Sequence, residues 1–94
     1  MTISFDARVT IPLDVLVSEL AGELVILNLN SESYFGLDEV GTRMWTALTT
    51  SETIQSAYEG LLAEYDVSED QLRKDMTDLL GKLIERGLVE VAIE

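Results

Sequence analysis

The sequence predicts an α+β domain of winged helix-turn-helix type, with a three-stranded antiparallel sheet followed by three helices. Three observations carry this expectation. Over residues 15–37 apolar residues alternate or run in short blocks bounded by polar and glycine turns, as strands do. From residue 38 onward they recur at three- and four-residue spacing, the period of a helix. The 94 residues hold no Gly/Ser linker and no internal repeat, so residues 1–94 are read as one domain around one core.

Val15-Leu16-Val17-Ser18-Glu19-Leu20 reads as the first strand of the sheet, closed by the turn Ala21-Gly22-Glu23. The run Leu24 to Leu29 follows, then the polar turn Asn30-Ser31-Glu32-Ser33, then a short strand from Ser33 to Leu37. Turns this short join antiparallel neighbours. Alternation places Val25, Leu27 and Leu29 over the core with Phe35 and Leu37, and turns Leu24, Ile26 and Tyr34 to the opposite face.

Helices are expected over about residues 38–49, 52–65 and 68–86. Asp38 is the N-cap of the first, whose apolar face holds Val40, Met44, Trp45 and Leu48. Thr49-Thr50-Ser51-Glu52 has the form of a capping box and opens the second, with the stripe Ile54, Ala57, Tyr58, Leu61, Leu62 and Tyr65. Ser68-x-x-Gln71 is a capping box for the third, and Val67 with Leu72 sits at the positions of a hydrophobic staple. At its far end Gly87 suits a left-handed C′ residue, and Leu83 with Leu88 is spaced for the apolar contact of a Schellman motif. Leu88 to Ile93 is a short apolar tail compatible with a strand, whereas the first 14 residues match no element.

Composition excludes several function classes. The chain has 6 Lys plus Arg against 18 Asp plus Glu, a net charge of −12, and neither His nor Cys. Without imidazole or thiolate, Ser-His, Cys-His and His- or Cys-ligated metal arrangements cannot form. The six glycines make no phosphate loop, no carboxylate pair is set across a cleft, and Asn28-x-Asn30-x-Glu32 with Glu39 lacks the leading Asp and central Gly of a calcium loop. No catalysis, metal or cofactor is expected. No apolar run reaches about 18 residues, and the start MTISFDARV is not a signal peptide, so a cytoplasmic protein without membrane contact is expected. The second and third helices have helix-turn-helix spacing, but residues 68–86 carry five acids and four bases, so nucleic acid is not an expected partner.

Two features point to peptide binding. The third helix has a wide apolar stripe, with Leu72, Met76, Leu79 and Leu83 in one narrow arc, Leu80 and Ile84 on one flank, and Asp75, Lys82 and Arg86 on the other. The stripe fits a core helix with a solvated rim, and it fits a groove wall. The strand Ser33–Leu37 would be a sheet edge with only Glu32 to guard it. Such an edge is either merely short or is used to add a strand from a partner.

Tyr34-Phe35-Gly36-Leu37-Asp38-Glu39-Val40-Gly41-Thr42-Arg43-Met44-Trp45, then Tyr65-Asp66-Val67, and finally Asp75-Met76-Thr77-Asp78-Leu79-Leu80-Gly81-Lys82-Leu83-Ile84-Glu85-Arg86-Gly87-Leu88-Val89 together resemble the PqqD-like family of RiPP recognition elements. RiPPs are ribosomally made, post-translationally modified peptides. Gly81 departs from the family pattern, in place of a better helix former. The resemblance implies a three-stranded sheet beside three helices. It implies that the leader segment of a precursor peptide binds as an added strand between the third strand and the third helix, and is presented to a separate processing enzyme. Carried onto this chain, the peptide-binding strand is Ser33, Tyr34, Phe35, Gly36 and Leu37. The helix face draws on Asp75, Met76, Leu79, Lys82, Leu83 and Arg86, with the flank that faces the peptide left open, and apolar leader side chains are expected against Tyr34, Leu79 and Leu83. The chain is most similar to the stand-alone B1 members of lasso-peptide pathways, whose partners are a leader peptide and a cysteine-protease subunit that removes it. The alternatives are a peptide chaperone for a radical enzyme in pyrroloquinoline quinone or other RiPP biosynthesis, and a structural winged-helix subunit.

Overall fold

The structure, a computed structural model, describes residues 3–92. Its elements are β1 (Arg8–Thr10), β2 (Val15–Leu20), β3 (Glu23–Asn28), β4 (Ser33–Leu37), α1 (Glu39–Thr50), α2 (Ile54–Glu64), α3 (Glu69–Glu85) and β5 (Glu90–Ala92). The antiparallel sheet β2-β3-β4 followed by three helices is the predicted architecture. A second, two-stranded sheet, β1 with β5, joins the two ends of the described chain. The apolar tail thus forms a strand over Glu90–Ala92, and Ile93 lies outside the described residues.

Each hairpin of the main sheet has a local cause. The two residues between β2 and β3, Ala21 and Gly22, both have positive φ (56° and 83°), the geometry whose twist matches flanking antiparallel strands. In the β3–β4 hairpin the Asn28 side-chain oxygen accepts from the N–H groups of Asn30 (2.9 Å) and Ser31 (3.2 Å). Asn28 Nδ2 donates to Gly87 O at 2.9 Å, so the same side chain ties the hairpin to the end of α3.

The phase of β3 is the reverse of the sequence expectation. Leu24 and Ile26 are buried over the core, while Val25 and Leu29 are exposed. The register explains this. Leu24 lies opposite Leu37 and Ile26 opposite Phe35, and directly paired residues share a face. Phe35 and Leu37 do face the core, and Tyr34 does face away.

The helix ends satisfy their own backbone groups. Asp38 Oδ1 accepts from Gly41 N at 2.7 Å, and Ser68 Oγ accepts from Gln71 N at 3.1 Å. The second helix starts at Ile54 rather than at residue 52. Its cap is Thr53, whose Oγ1 accepts from Ser56 N. The Thr49–Glu52 box does not form, because Thr49 and Thr50 still belong to α1 and their hydroxyls donate back to Trp45 O and Thr46 O. The remaining α2 donors are met by the N-terminal arm: Ile54 N donates to Ala7 O (2.9 Å) and Gln55 N to Phe5 O (2.8 Å). Phe5 meets Tyr58 edge-on, and the Arg73 guanidinium lies 4.3 Å from the Phe5 ring centroid. The arm therefore fastens α2 to α3. At the far end of α3, Gly87 has φ 70°, Leu88 N donates to Leu83 O, and Gly87 N donates to Ile84 O, the paired bonds of a Schellman motif.

The core lies between the β3–β4 inner face and the helices. Ile26, Leu48, Ile54, Leu61, Met76, Leu80, Leu83 and Leu88 are fully enclosed, and no polar or charged residue is buried among the described residues. Thr42 locks α1 to the sheet, since its hydroxyl accepts from Leu24 N (3.1 Å) and donates to Leu37 O (3.4 Å).

Candidate functional site

β4 is an edge strand. Its inner side pairs with β3, and among the described residues no strand pairs with its outer side. Among the described residues the N-terminal arm adds no strand to this edge. It docks on α2, and Ile3 lines a hollow with Thr77, Asp78, Gly81, Lys82 and Glu85 of α3.

Between this edge and α3 runs an open groove of about 440 Å³. β4 contributes Phe35, Gly36 and Leu37, the start of α1 contributes Asp38 and Gly41, and α3 contributes Asp75, Asp78, Leu79 and Lys82. Helical spacing explains the α3 set, because positions 75, 78, 79 and 82 are three and four apart and share one face. Leu79 is the apolar member of that wall and is only half-buried.

The groove thus gathers Phe35, Gly36, Leu37, Asp75, Leu79 and Lys82 of the residues predicted from sequence. It does not gather the rest. Met76 and Leu83 are completely enclosed, because α3 turns Leu72, Met76, Leu80 and Leu83 into the core. Tyr34 stands on the outer face of the sheet at 69% exposure, so Tyr34, Leu79 and Leu83 do not form one pocket. Ser33 lies at the start of β4, away from the groove lining. Arg86 reaches back to β4, with its guanidinium 5.1 Å from the Phe35 ring centroid, an attractive cation–π placement.

Sequence reasoning missed three groove residues. Asp78 was findable, three positions after Asp75 and four before Lys82 on the same face. The sequence marks Asp38 only as a cap, and the structure also places it at the groove. Gly41 is set by close approach: a Cβ there would lie 3.2 Å from Leu37 Cδ2 and 3.3 Å from Asp38 Oδ1.

The wall carboxylates are held from behind. Gln71 Nε2 donates to Asp75 Oδ1 at 2.8 Å, and Lys74 Nζ pairs with Asp78 Oδ2 at 3.0 Å, a hydrogen bond that raises the Lys74 pKa. The groove offers backbone groups, one apolar anchor and fixed charges, with no nucleophile–base pair. Among the described residues no cluster of acids is arranged to hold a metal ion, and no helix is long and apolar enough to cross a membrane.

The family model described as Coenzyme PQQ synthesis protein D (PqqD) matches residues 23–89. A solved structure, "TbiB1 in Complex with the TbiA(beta) Leader Peptide", is similar to this chain with a TM-score of 0.79 and 32% sequence identity, covering 86% of this chain and 94% of that one. No curated protein matches.

Proposed function

The chain belongs to the PqqD family, and from that premise we propose that it is a non-catalytic recognition protein for the leader segment of a ribosomally made precursor peptide. The leader adds as a strand to the outer edge of β4, and the chain delivers it to a processing enzyme, the leader peptidase of lasso-peptide biosynthesis. The observation that carries this reading is an unpaired β4 edge beside the half-buried Leu79 wall of α3, in a chain similar to a protein whose structure is titled as a leader-peptide complex.

The energetics are those of coupled folding and binding. Ordering a flexible leader costs about 2–5 kcal/mol. Backbone hydrogen bonds to β4 fix its register, and an apolar leader side chain against Leu79 and Phe35 supplies the anchor that offsets this cost. Lys82, exposed at the groove among Asp38, Asp75 and Asp78, can pair with a leader carboxylate.

The test is calorimetry with a synthetic leader. Leu79→Asp abolishes binding and leaves the helical circular dichroism intact, whereas unchanged affinity refutes the groove assignment. The family description favours one second reading, a peptide chaperone in pyrroloquinoline quinone synthesis working with a radical enzyme. Titrating precursor peptides of both pathways separates the two.

A further inference from the structure

The groove between β4 and α3 is lined by more acid than base. Asp38, Asp75 and Asp78 line it with Lys82 as the one cation, so three carboxylates and one ammonium leave a net charge of −2. Each carboxylate is held through one oxygen. Asp38 Oδ1 caps Gly41 N, Asp75 Oδ1 accepts from Gln71 Nε2, and Asp78 Oδ2 takes Lys74 Nζ. Asp78 is thus neutralised from within the chain. Asp38 and Asp75 form no ion pair with any described residue; Lys74 bonds Asp78 and only lies in the field of Asp75. Their second oxygens, Oδ2 in each, are acceptors without a partner among the described residues.

Position makes these two carboxylates a clamp. Asp38 follows β4 and caps α1, whereas Asp75 stands on α3, so they come from opposite sides of the groove. Asp75 is half-buried, and a carboxylate partly withdrawn from water gains more from a cation than an exposed one does. The chain around them carries −12, which adds to the pull on a positive guest. We propose that the groove selects leaders carrying a Lys or Arg, whose cationic head sits between Asp38 and Asp75.

This rests on the reading of β4 as the leader's edge, and it deepens that reading by naming the class of leader. The two acids stand beside an unpaired strand edge and an apolar wall, which hold the peptide whose charge they sort. The apolar anchor of that peptide lies against Phe35 and Leu79, and β4 runs on from Phe35 through Leu37 to Asp38. On an added strand, side chains that point to the α3 side recur at every second residue, about 6.6–6.8 Å apart. The base therefore lies two residues from the anchor, before or after it according to the direction of the strand. An acidic residue at that position meets like charge and is rejected, so the same pair supplies discrimination as well as affinity.

The experiment is calorimetry with the full chain and a synthetic leader in which each Lys or Arg is replaced in turn by Met, which keeps reach and removes charge. The anchor is first located as the apolar leader residue whose truncation no longer costs affinity in Leu79→Ala. One replacement, two residues from that anchor, is expected to weaken binding by about 5-fold or more, and the others by less than about 2-fold. Asp38→Asn and Asp75→Asn each weaken the unmodified leader by about 5-fold and leave the affinity of the Met-substituted leader unchanged. Asparagine still caps α1 and still accepts from Gln71, so melts of both variants stay near wild type. Should Asp38→Asn melt early, Asp75→Asn and the leader-side replacements decide alone, because the latter leave the protein untouched. Asp75→Lys is expected to prefer a leader with Glu in place of the base. A leader with no base at that position that binds as tightly overturns the proposal, as does wild-type affinity in Asp75→Asn. A chain that binds no leader refutes the proposed function and this proposal with it, whereas binding that ignores every charge replacement refutes this proposal alone.

Discussion

Leu79 and Leu83 are four residues apart on α3 and read alike in sequence, yet they occupy opposite situations. Leu83 is fully enclosed, while Leu79 lines the groove half-exposed. Truncating each to alanine separates stability from binding. Leu83→Ala leaves a cavity and costs about 2–5 kcal/mol. A domain of this length has about 5–14 kcal/mol in total, at about 0.05–0.15 kcal/mol per residue. Each kcal/mol moves Tm by about 4–8 °C at this size, so Leu83→Ala lowers Tm by at least about 8 °C and leaves the remaining folded fraction able to bind leader. Leu79→Ala vacates a site already open to water, so its Tm falls by much less. It does remove an apolar anchor of about 1.5–3 kcal/mol, which weakens leader binding by about 10- to 150-fold. Thermal melts followed by circular dichroism, paired with calorimetry on the same samples, read both quantities. If the two variants lose stability and affinity in equal proportion, the assignment of Leu79 to the groove and Leu83 to the core is wrong.

Four further outcomes are expected. Gly81→Ala meets no atom within 4 Å and removes a poor helix former, so it stabilises by about 1 kcal/mol in a denaturant melt without changing leader affinity. Asn28→Ala deletes the bonds to Asn30 N, Ser31 N and Gly87 O; thermal melts should show a loss of about 1–3 kcal/mol, and calorimetry a weaker leader affinity although Asn28 does not line the groove. The Arg43 hydrogen bond holds the Glu64 pKa below its ordinary 4.5, so this pair contributes at neutral pH and is lost as pH falls through the lowered value; the Tm gap between wild type and Glu64→Gln should be small at pH 7, as suits an exposed pair, and close on acidification. N-methylation along a synthetic leader should weaken binding at every second position, the signature of one strand pairing to an edge, and a profile without that alternation rejects strand addition.

What the sequence revealed and what it hid divide along the range of the interactions. The caps at Asp38 and Ser68 and the Schellman turn at Gly87 were legible because donor and acceptor lie within five residues of each other. The Thr49–Glu52 box failed within that same range because Thr53 offered a competing cap once α1 had extended to Thr50. The β1–β5 pair joins Arg8 to Ala92, and no local pattern announces a partner so distant. β3 was misphased because both of its faces are apolar. Alternation cannot choose between Leu24 with Ile26 and Val25 with Leu27; only the register against Phe35 and Leu37 does. The residues that defeat the pattern, Val25 and Leu27, lie on the outer face of the sheet, opposite Leu24 and Ile26. For α3, sequence gave the arc but not its orientation. Which leucine meets the core follows from how α3 packs against α2 and the sheet.

Among the described residues the sheet has two open edges, not one, and the difference between them favours β4 for the proposed strand addition. β2 offers the same vacant backbone groups as β4, and beyond Val15 every residue of it is exposed. A strand laid along β2 would gain ladder hydrogen bonds only. Those bonds replace bonds to water, so each contributes about 0.5–1.5 kcal/mol net, while ordering each leader residue costs about 1–2 kcal/mol of backbone entropy. Backbone pairing alone therefore does not hold a short flexible peptide. Along β4 the same ladder runs beside α3, where Leu79, Phe35 and the charged wall add side-chain energy to backbone energy. The helix beside the edge, rather than the edge itself, makes β4 the proposed binding edge and leaves β2 a sheet border. Each of the three helices has a part in this: α1 fixes the sheet through Thr42, α2 and the N-terminal arm brace α3, and α3 turns one half-buried leucine towards the β4 edge.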